Sequence, residues 1–560
     1  MAYFSIEQNP RAAAKILLYA ISTLIVASFI FGLFVPLMDS DAAHHANIAL
    51  RMVLTGDYIS LIDKGQPYLD KPHLLFWTSA LSFNIFGVNA FAYKLPSLLF
   101  TLLGLFSTFK LGTRLYNKRN GWLSLLILST VFAFVLANSD VRMDAILTAC
   151  MIFTAWRFWE FYHNRTWLNM FAVALGLAMG FMTKGMIGPA VPTFAFLFYL
   201  LEKKDWKIFL DIKLYLILPA FFLFSSPVLY AFYLQYDLHP ELIIRGRTNI
   251  SGVSFILWDQ NFERFDGEIW GEDNKKDYFF FLHTTLWAFL PWPLIFFWAV
   301  FKGFRSKINK DHQVEWMTLG TIVFLLSIYS FAGFKLPHYL NTLFPFMAII
   351  TAAALVKFRI GKVISKIHLT LISLVLILVI VLNTYFFPLP IWGIIIVIIL
   401  ITVIGYLLLQ VKGRWLRITL TTASIGAMIN LIMQANFYPQ ILTYQGGTAL
   451  AKEVKEMAIS HENIYYFETV SYSFDFNSSY LHPIIGLEEV YNKLEEDNSI
   501  HLFVNKDGKE KLEAMEDLST EVKLSKAAFH VSRLKFNFIN PPTRESTLHP
   551  HFIIRISKIS

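Results

Sequence analysis

Long apolar runs separated by short polar stretches fill the first 435 positions of the chain. A helix needs about 20 mostly apolar residues to cross a bilayer. Runs of that order lie near 15–38, 90–111, 121–138, 144–162, 168–183, 186–201, 214–234, 279–301, 317–333, 339–356, 367–386, 391–410 and 416–435. The pattern predicts about thirteen spans, the pair flanking Lys184 being the shortest. No small-residue cleavage site follows the first run, so it reads as a retained anchor. Beyond position 435 the pattern changes: helical periodicity at 450–459, 487–496 and 509–515 alternates with strand-like runs at 464–467, 500–504 and 552–556. That alternation predicts a small α/β domain. The expected architecture is a polytopic α-helical membrane domain over 1–435 and a C-terminal α/β domain over 436–560.

Composition closes off other classes. Hydrophobic residues make up 56% of the chain and charged residues 16%, against about 25% charged in a soluble domain. A mean hydropathy of +0.51 agrees, and a wholly soluble, disordered or fibrous protein is excluded. The net charge of +8 comes from Lys and Arg in alternate loops, the pattern of a cytoplasmic membrane face. No nucleic-acid partner is expected. Cys150 is the only cysteine, so no intrachain disulfide can form.

With Arg11 and Lys15 on the cytoplasmic side, every second loop is basic: Arg114, Lys118 and Arg119, then Arg165, then Lys203, Lys204 and Lys207, and so on to Lys412, Arg414 and Arg417. This parity predicts a multi-pass protein of the cell inner (plasma) membrane. It places the long loops at about 39–89 and 235–278, and the C-terminal domain, on the extracytoplasmic (periplasmic) side.

The ionisable residues next to the spans collect on that same side. They are Asp39 and Asp41 after the first span, Asp70 and Lys71 in the first loop, and Asp140, Arg142 and Asp144 in a tight turn. Lys184, Arg245, Arg247, Arg264 and Lys335 complete the set. Charges at membrane depth are costly and mark function; the plainer alternative is headgroup contact or helix capping, for which Asp39, Ser40 and Asp41 are suited. Lys71, before a proline and an apolar run, suits a lipid-linked phosphate, whose departure needs positive charge. The adjacent His44 and His45 point to different faces and do not make a metal pair.

Several stretches occur in a familiar order: Asp39-Ser-Asp41, Tyr68-Leu-Asp-Lys-Pro-His73, Val141-Arg-Met-Asp144, Thr183-Lys-Gly185, Pro291-Trp292 and Lys335-Leu-Pro-His-Tyr339. The set resembles the GT-C type glycosyltransferases that use polyprenyl-phosphate sugars, in particular the lipid A 4-amino-4-deoxy-L-arabinose transferases and the protein O-mannosyltransferases. The resemblance covers about residues 12–345. It implies catalytic carboxylates at Asp41 and Asp144, and donor-phosphate contacts at Lys71, Lys184, Arg264 and Lys335. It places Asp39, Arg142 and Tyr339 in the same cavity. The aminoarabinose branch can hold a metal through an acid before Lys-Pro and a loop histidine. Here Asp70 keeps the acid and Asn261 stands at the histidine position, so Asp70 is a weak metal candidate and no cofactor is required.

The expected activity is transfer of a sugar from a polyprenyl (undecaprenyl) phosphate carrier to an extracytoplasmic acceptor, whether lipid A, another glycan or protein. An Asp base and Lys or Arg stabilisation of the phosphate would drive an inverting displacement. The C-terminal domain is expected to help position the acceptor. The rival reading is a transporter or lipid flippase, which would show charged sites at mid-depth and inverted repeats.

Overall fold

The computed structural model describes residues 10–260, 262–263, 277–308 and 314–559. Every apolar run of the sequence is helical there, and eight helices are long and apolar enough to cross a membrane among the described residues. The remaining runs form shorter, interrupted or more polar helices. The run expected over 121–138 divides into Lys118–Thr130 and Phe132–Leu136, with Val131 extended between them. Backbone released by such a break must find partners away from water. It does: Asn430 Nδ2 donates to the Thr130 carbonyl at 3.1 Å, and the Phe132 N–H donates to the Leu290 carbonyl at 2.9 Å. The run over 279–301 is likewise split, into Phe280–Ala288 and Pro293–Ile308. Trp292 lies buried at that joint and donates from Nε1 to Thr130 Oγ1 at 2.9 Å, tying the two interruptions together.

Exposure separates central from peripheral helices. The helix Phe344–Lys357 is almost wholly buried. Lys362–Val381 and Ile391–Gln410 are apolar all round and mostly exposed, as lipid-facing helices are. Where helices approach most closely the residues are small. A Cβ on Gly188, in Ile187–Lys203, would lie 2.2 Å from the carbonyl carbon of Gly180, in Trp167–Lys184.

The first long loop is ordered. It holds a helix at Asp41–Thr55, a two-stranded antiparallel hairpin of β1 (Ile62–Asp63) and β2 (Gln66–Pro67), and a helix at Leu74–Phe86. Of the three residues suited to cap this helix, Ser40 takes the N-cap position but makes no side-chain capping bond.

The C-terminal α/β domain carries a four-stranded sheet of β3 (Ile464–Tyr466), β4 (Ile500–Val504), β5 (Leu518–Lys526) and β6 (His551–Lys558), in the order β3-β4-β6-β5. The β3–β4 pair is parallel and the others antiparallel. Helices Gly446–Glu456, Leu487–Glu496 and Lys506–Glu513 accompany it. Strand β5 escapes sequence reading because it is an edge strand: polar and charged residues such as Glu521, Lys523 and Lys526 dilute its alternation, as is usual where an edge must resist pairing.

Candidate functional site

The turn between Phe132–Leu136 and Asp144–His163 brings Arg142 against the first-loop helix. Arg142 Nη1 lies 2.7 Å from Asp41 Oδ2 and Nη2 lies 3.0 Å from Asp140 Oδ2. Asp140, then Asp41, raise the Arg142 pKa further against the cost of its burial. Asp41 remains accessible, with 49% of its side chain exposed.

Asp144 opens the next helix and is buried. It faces Lys184 at the end of Trp167–Lys184, whose Nζ donates to Asp144 Oδ1 at 2.8 Å. The Lys184 ammonium also lies 5.0 Å from the Tyr339 ring centre, and His338 Nε2 stands 3.9 Å from Asp144 Oδ2. Two helix ends and the Lys335-Leu-Pro-His-Tyr339 segment therefore converge on one carboxylate. On the loop side Lys71 is ion-paired with Asp70, and Arg245 approaches Asp70 at 3.8 Å.

These groups surround a single cavity of about 630 Å³. Asp41, Lys71, Arg142, Asp144, Lys184 and Tyr339 all line it, together with Asp70 and Arg245. His44, His45 and Tyr68 form part of its wall. Burial lowers the His45 pKa well below its usual value, so the His45 ring is neutral at pH 7. At Asp144, Lys184 and Tyr339 the cavity meets an apolar pocket of about 220 Å³ between Ile187, Ile328 and Ala332. A third space, about 640 Å³, reaches Arg142, Asp144 and His338; Phe437 and Tyr438, on the last membrane helix, which runs on past 435 to Leu442, and Val531 and Leu534 of the C-terminal domain line it.

Two residues singled out from sequence are placed differently. Asp39 does not line the cavity. Its carboxylate turns to the C-terminal domain, where it accepts the Ser473 N–H at 2.8 Å and the Ser473 hydroxyl at 2.5 Å. The sequence gives no sign of this, because the partner lies more than 400 positions away. Lys335 is buried beside Tyr278, 5.6 Å from its ring centre, and is not among the residues lining the cavity, though its neighbours Phe334 and Leu336 are. Arg264 and Asn261 lie outside the described residues. Asp70, the metal candidate, is already matched by Lys71 and Arg245, and no three His, Cys, Asp or Glu side chains gather around a common point among the described residues. Such a donor set does not fit a metal. His338 joins the site beside Asp144, a role that its place in the Lys335-Leu-Pro-His-Tyr339 motif does not by itself signal.

These acids and cations lie in a helical membrane bundle with the GT-C fold, and the resemblance read from the motifs is borne out. Residues 70–230 match the dolichyl-phosphate-mannose-protein mannosyltransferase family. Among individual proteins, the crystal structure of ArnT from Cupriavidus metallidurans bound to undecaprenyl phosphate superimposes with a TM-score of 0.72 at 16% identity, over 96% of this chain and 97% of that one. An undecaprenyl phosphate-alpha-4-amino-4-deoxy-L-arabinose arabinosyl transferase of Edwardsiella ictaluri is 27% identical over 325 residues, 56% of this chain and 55% of that protein. An uncharacterized protein of Aquifex aeolicus is 28% identical over 348 residues, 60% of this chain and 63% of its own. The chain thus spans less than two thirds of the length of these curated relatives.

Proposed function

We propose that the protein is an inner-membrane glycosyltransferase that moves a sugar from a polyprenyl (undecaprenyl) phosphate to an extracytoplasmic acceptor such as lipid A. The observation carrying this reading is the joining of one polar cavity, with three carboxylates and several cations, to an apolar pocket at Lys184. A polyprenyl-phosphate sugar needs both surfaces: an apolar wall for the first isoprenes and a cationic seat for the phosphate.

In the proposed step the acceptor hydroxyl oxygen attacks the anomeric carbon. The bond from that carbon to the phosphate oxygen breaks, and its electron pair leaves with the phosphate. Lys71 and Arg245 stabilise the departing anion; Lys184, held by Asp144, adds charge where the apolar pocket begins. Asp41 takes the acceptor proton, because it is accessible while Asp144 is buried against Lys184. Arg142 orients Asp41. The third space gives an acceptor an approach to Asp144 and to Arg142, the residue that holds Asp41. Displacement on one face inverts the anomeric centre. The N-terminus is cytoplasmic and the C-terminal domain extracytoplasmic in this reading, in keeping with the alternation of basic loops.

Mass spectrometry of envelope lipids and glycoproteins, with and without the gene, should show one sugar lost from one acceptor. Asp41→Asn and Lys71→Ala should each lower transfer by about 100-fold or more. Wild-type turnover in both variants would remove the proposed roles.

A further inference from the structure

We propose that the C-terminal domain is a positioning part of the transfer site, acting through residues 472–475 on the helix that carries Asp41. This rests on the role given to Asp41 above.

The contacts bracket Asp41 in sequence. Two positions before it, Asp39 accepts both hydrogen bonds of Ser473. The chain entering the helix is gripped again by Gln445, whose Oε1 accepts the Asp39 N–H at 2.6 Å and whose Nε2 donates to the Leu37 carbonyl at 2.9 Å. Three positions after Asp41, the His44 ring stacks on Tyr472 with centres 4.8 Å apart. Two turns on, Asn47 Nδ2 donates to the Tyr472 carbonyl at 2.9 Å. The hairpin that leads to Lys71 is held by the same segment. Tyr472 donates its hydroxyl proton to Asp63 at 3.1 Å, and Lys64 is ion-paired with Asp475, which is wholly buried and also accepts from Tyr466 at 2.8 Å. Helix and hairpin, which carry Asp41 and precede Lys71, therefore share one clamp.

The clamp is built to close tolerance. A Cβ on Gly447 would lie 2.0 Å from Ser471 Oγ and 2.7 Å from Ser473 Oγ, so only glycine lets the 471–473 segment settle over the helix Gly446–Glu456. A charge two residues from a proposed base, spent on a hydrogen bond to another domain, is what registration of that base requires.

The test uses the full-length protein in lipid nanodiscs, with Ser473→Ala, Ser473→Thr and Tyr472→Phe. Amide exchange over 39–55 should rise about 10-fold in Ser473→Ala and return towards wild type in Ser473→Thr, which keeps the hydroxyl. With the polyprenyl-phosphate sugar donor identified by the mass-spectrometric comparison above, kcat should fall about 10-fold or more with KM for the donor little changed; binding of undecaprenyl phosphate alone should stay intact. Unchanged exchange in both Ser473→Ala and Tyr472→Phe overturns the clamp. Loosened exchange with undiminished kcat overturns its part in transfer. If the wild-type protein transfers no sugar, it is the function reading that falls, while exchange over 39–55 still judges the clamp by itself.

Discussion

His73 shows how a single buried side chain ties stability to pH. It follows the Lys71-Pro pair, is wholly buried, bonds the Ile59 carbonyl through Nε2 at 2.8 Å, and packs on Trp77 and Phe232. Burial brings its pKa down to about 4, from 6.5 in an unfolded chain. The unfolded state therefore takes up a proton that the folded state refuses between those values. Stability should be complete above pH 6.5 and fall as pH drops towards 4, by up to ~3 kcal/mol. Unfolding followed at pH 7 and pH 5 should show the loss, and His73→Gln should flatten the slope. At the same scale, the site residues divide by what sequence could reveal. Asp41, Asp144, Lys71 and Lys184 stand out as charges beside apolar runs. Ser473 and Asp475 look like ordinary polar residues of a soluble-type domain until the fold puts Asp39 and Lys64 against them.

Among the elements, the pair Trp167–Lys184 and Ile187–Lys203 matters most, because it ends at Lys184. The two helices meet where Gly188 faces Gly180 with no space for a methyl group. Gly188→Ala should force them apart, at a cost of about 1–3 kcal/mol, and shift Lys184 away from Asp144. Thermal unfolding in detergent should fall, and transfer should fall more than the loss of folded protein explains. The sequence predicts both helices but not their spacing; periodicity records which positions are apolar, not how closely backbones approach. The same limit explains the division of 121–138 at Val131. An unbroken apolar run looks like one helix, and only Asn430 and Leu290, distant in sequence, make the interruption affordable.

For the whole molecule, the arrangement of compartments carries the function. The polar cavity borders the apolar pocket at Lys184, so donor length should matter. Ile187→Trp, which narrows the apolar pocket, should raise KM for an undecaprenyl-phosphate sugar several-fold and change that for a short-chain prenyl analogue much less. Equal effects on both donors would place the lipid elsewhere.

By itself the sequence determined the membrane class, the positions of the apolar helices, the C-terminal α/β domain and the family resemblance, because each is written in local periodicity, composition or ordered motifs. The tertiary structure decided which charges meet. It turned Asp39 away from the cavity, set Lys335 beside Tyr278, joined Asp144 to Lys184, and laid residues 472–475 on the helix of Asp41. Pairings across tens to hundreds of residues depend on how helices pack and where each side chain finds a partner out of water, and no local pattern encodes that.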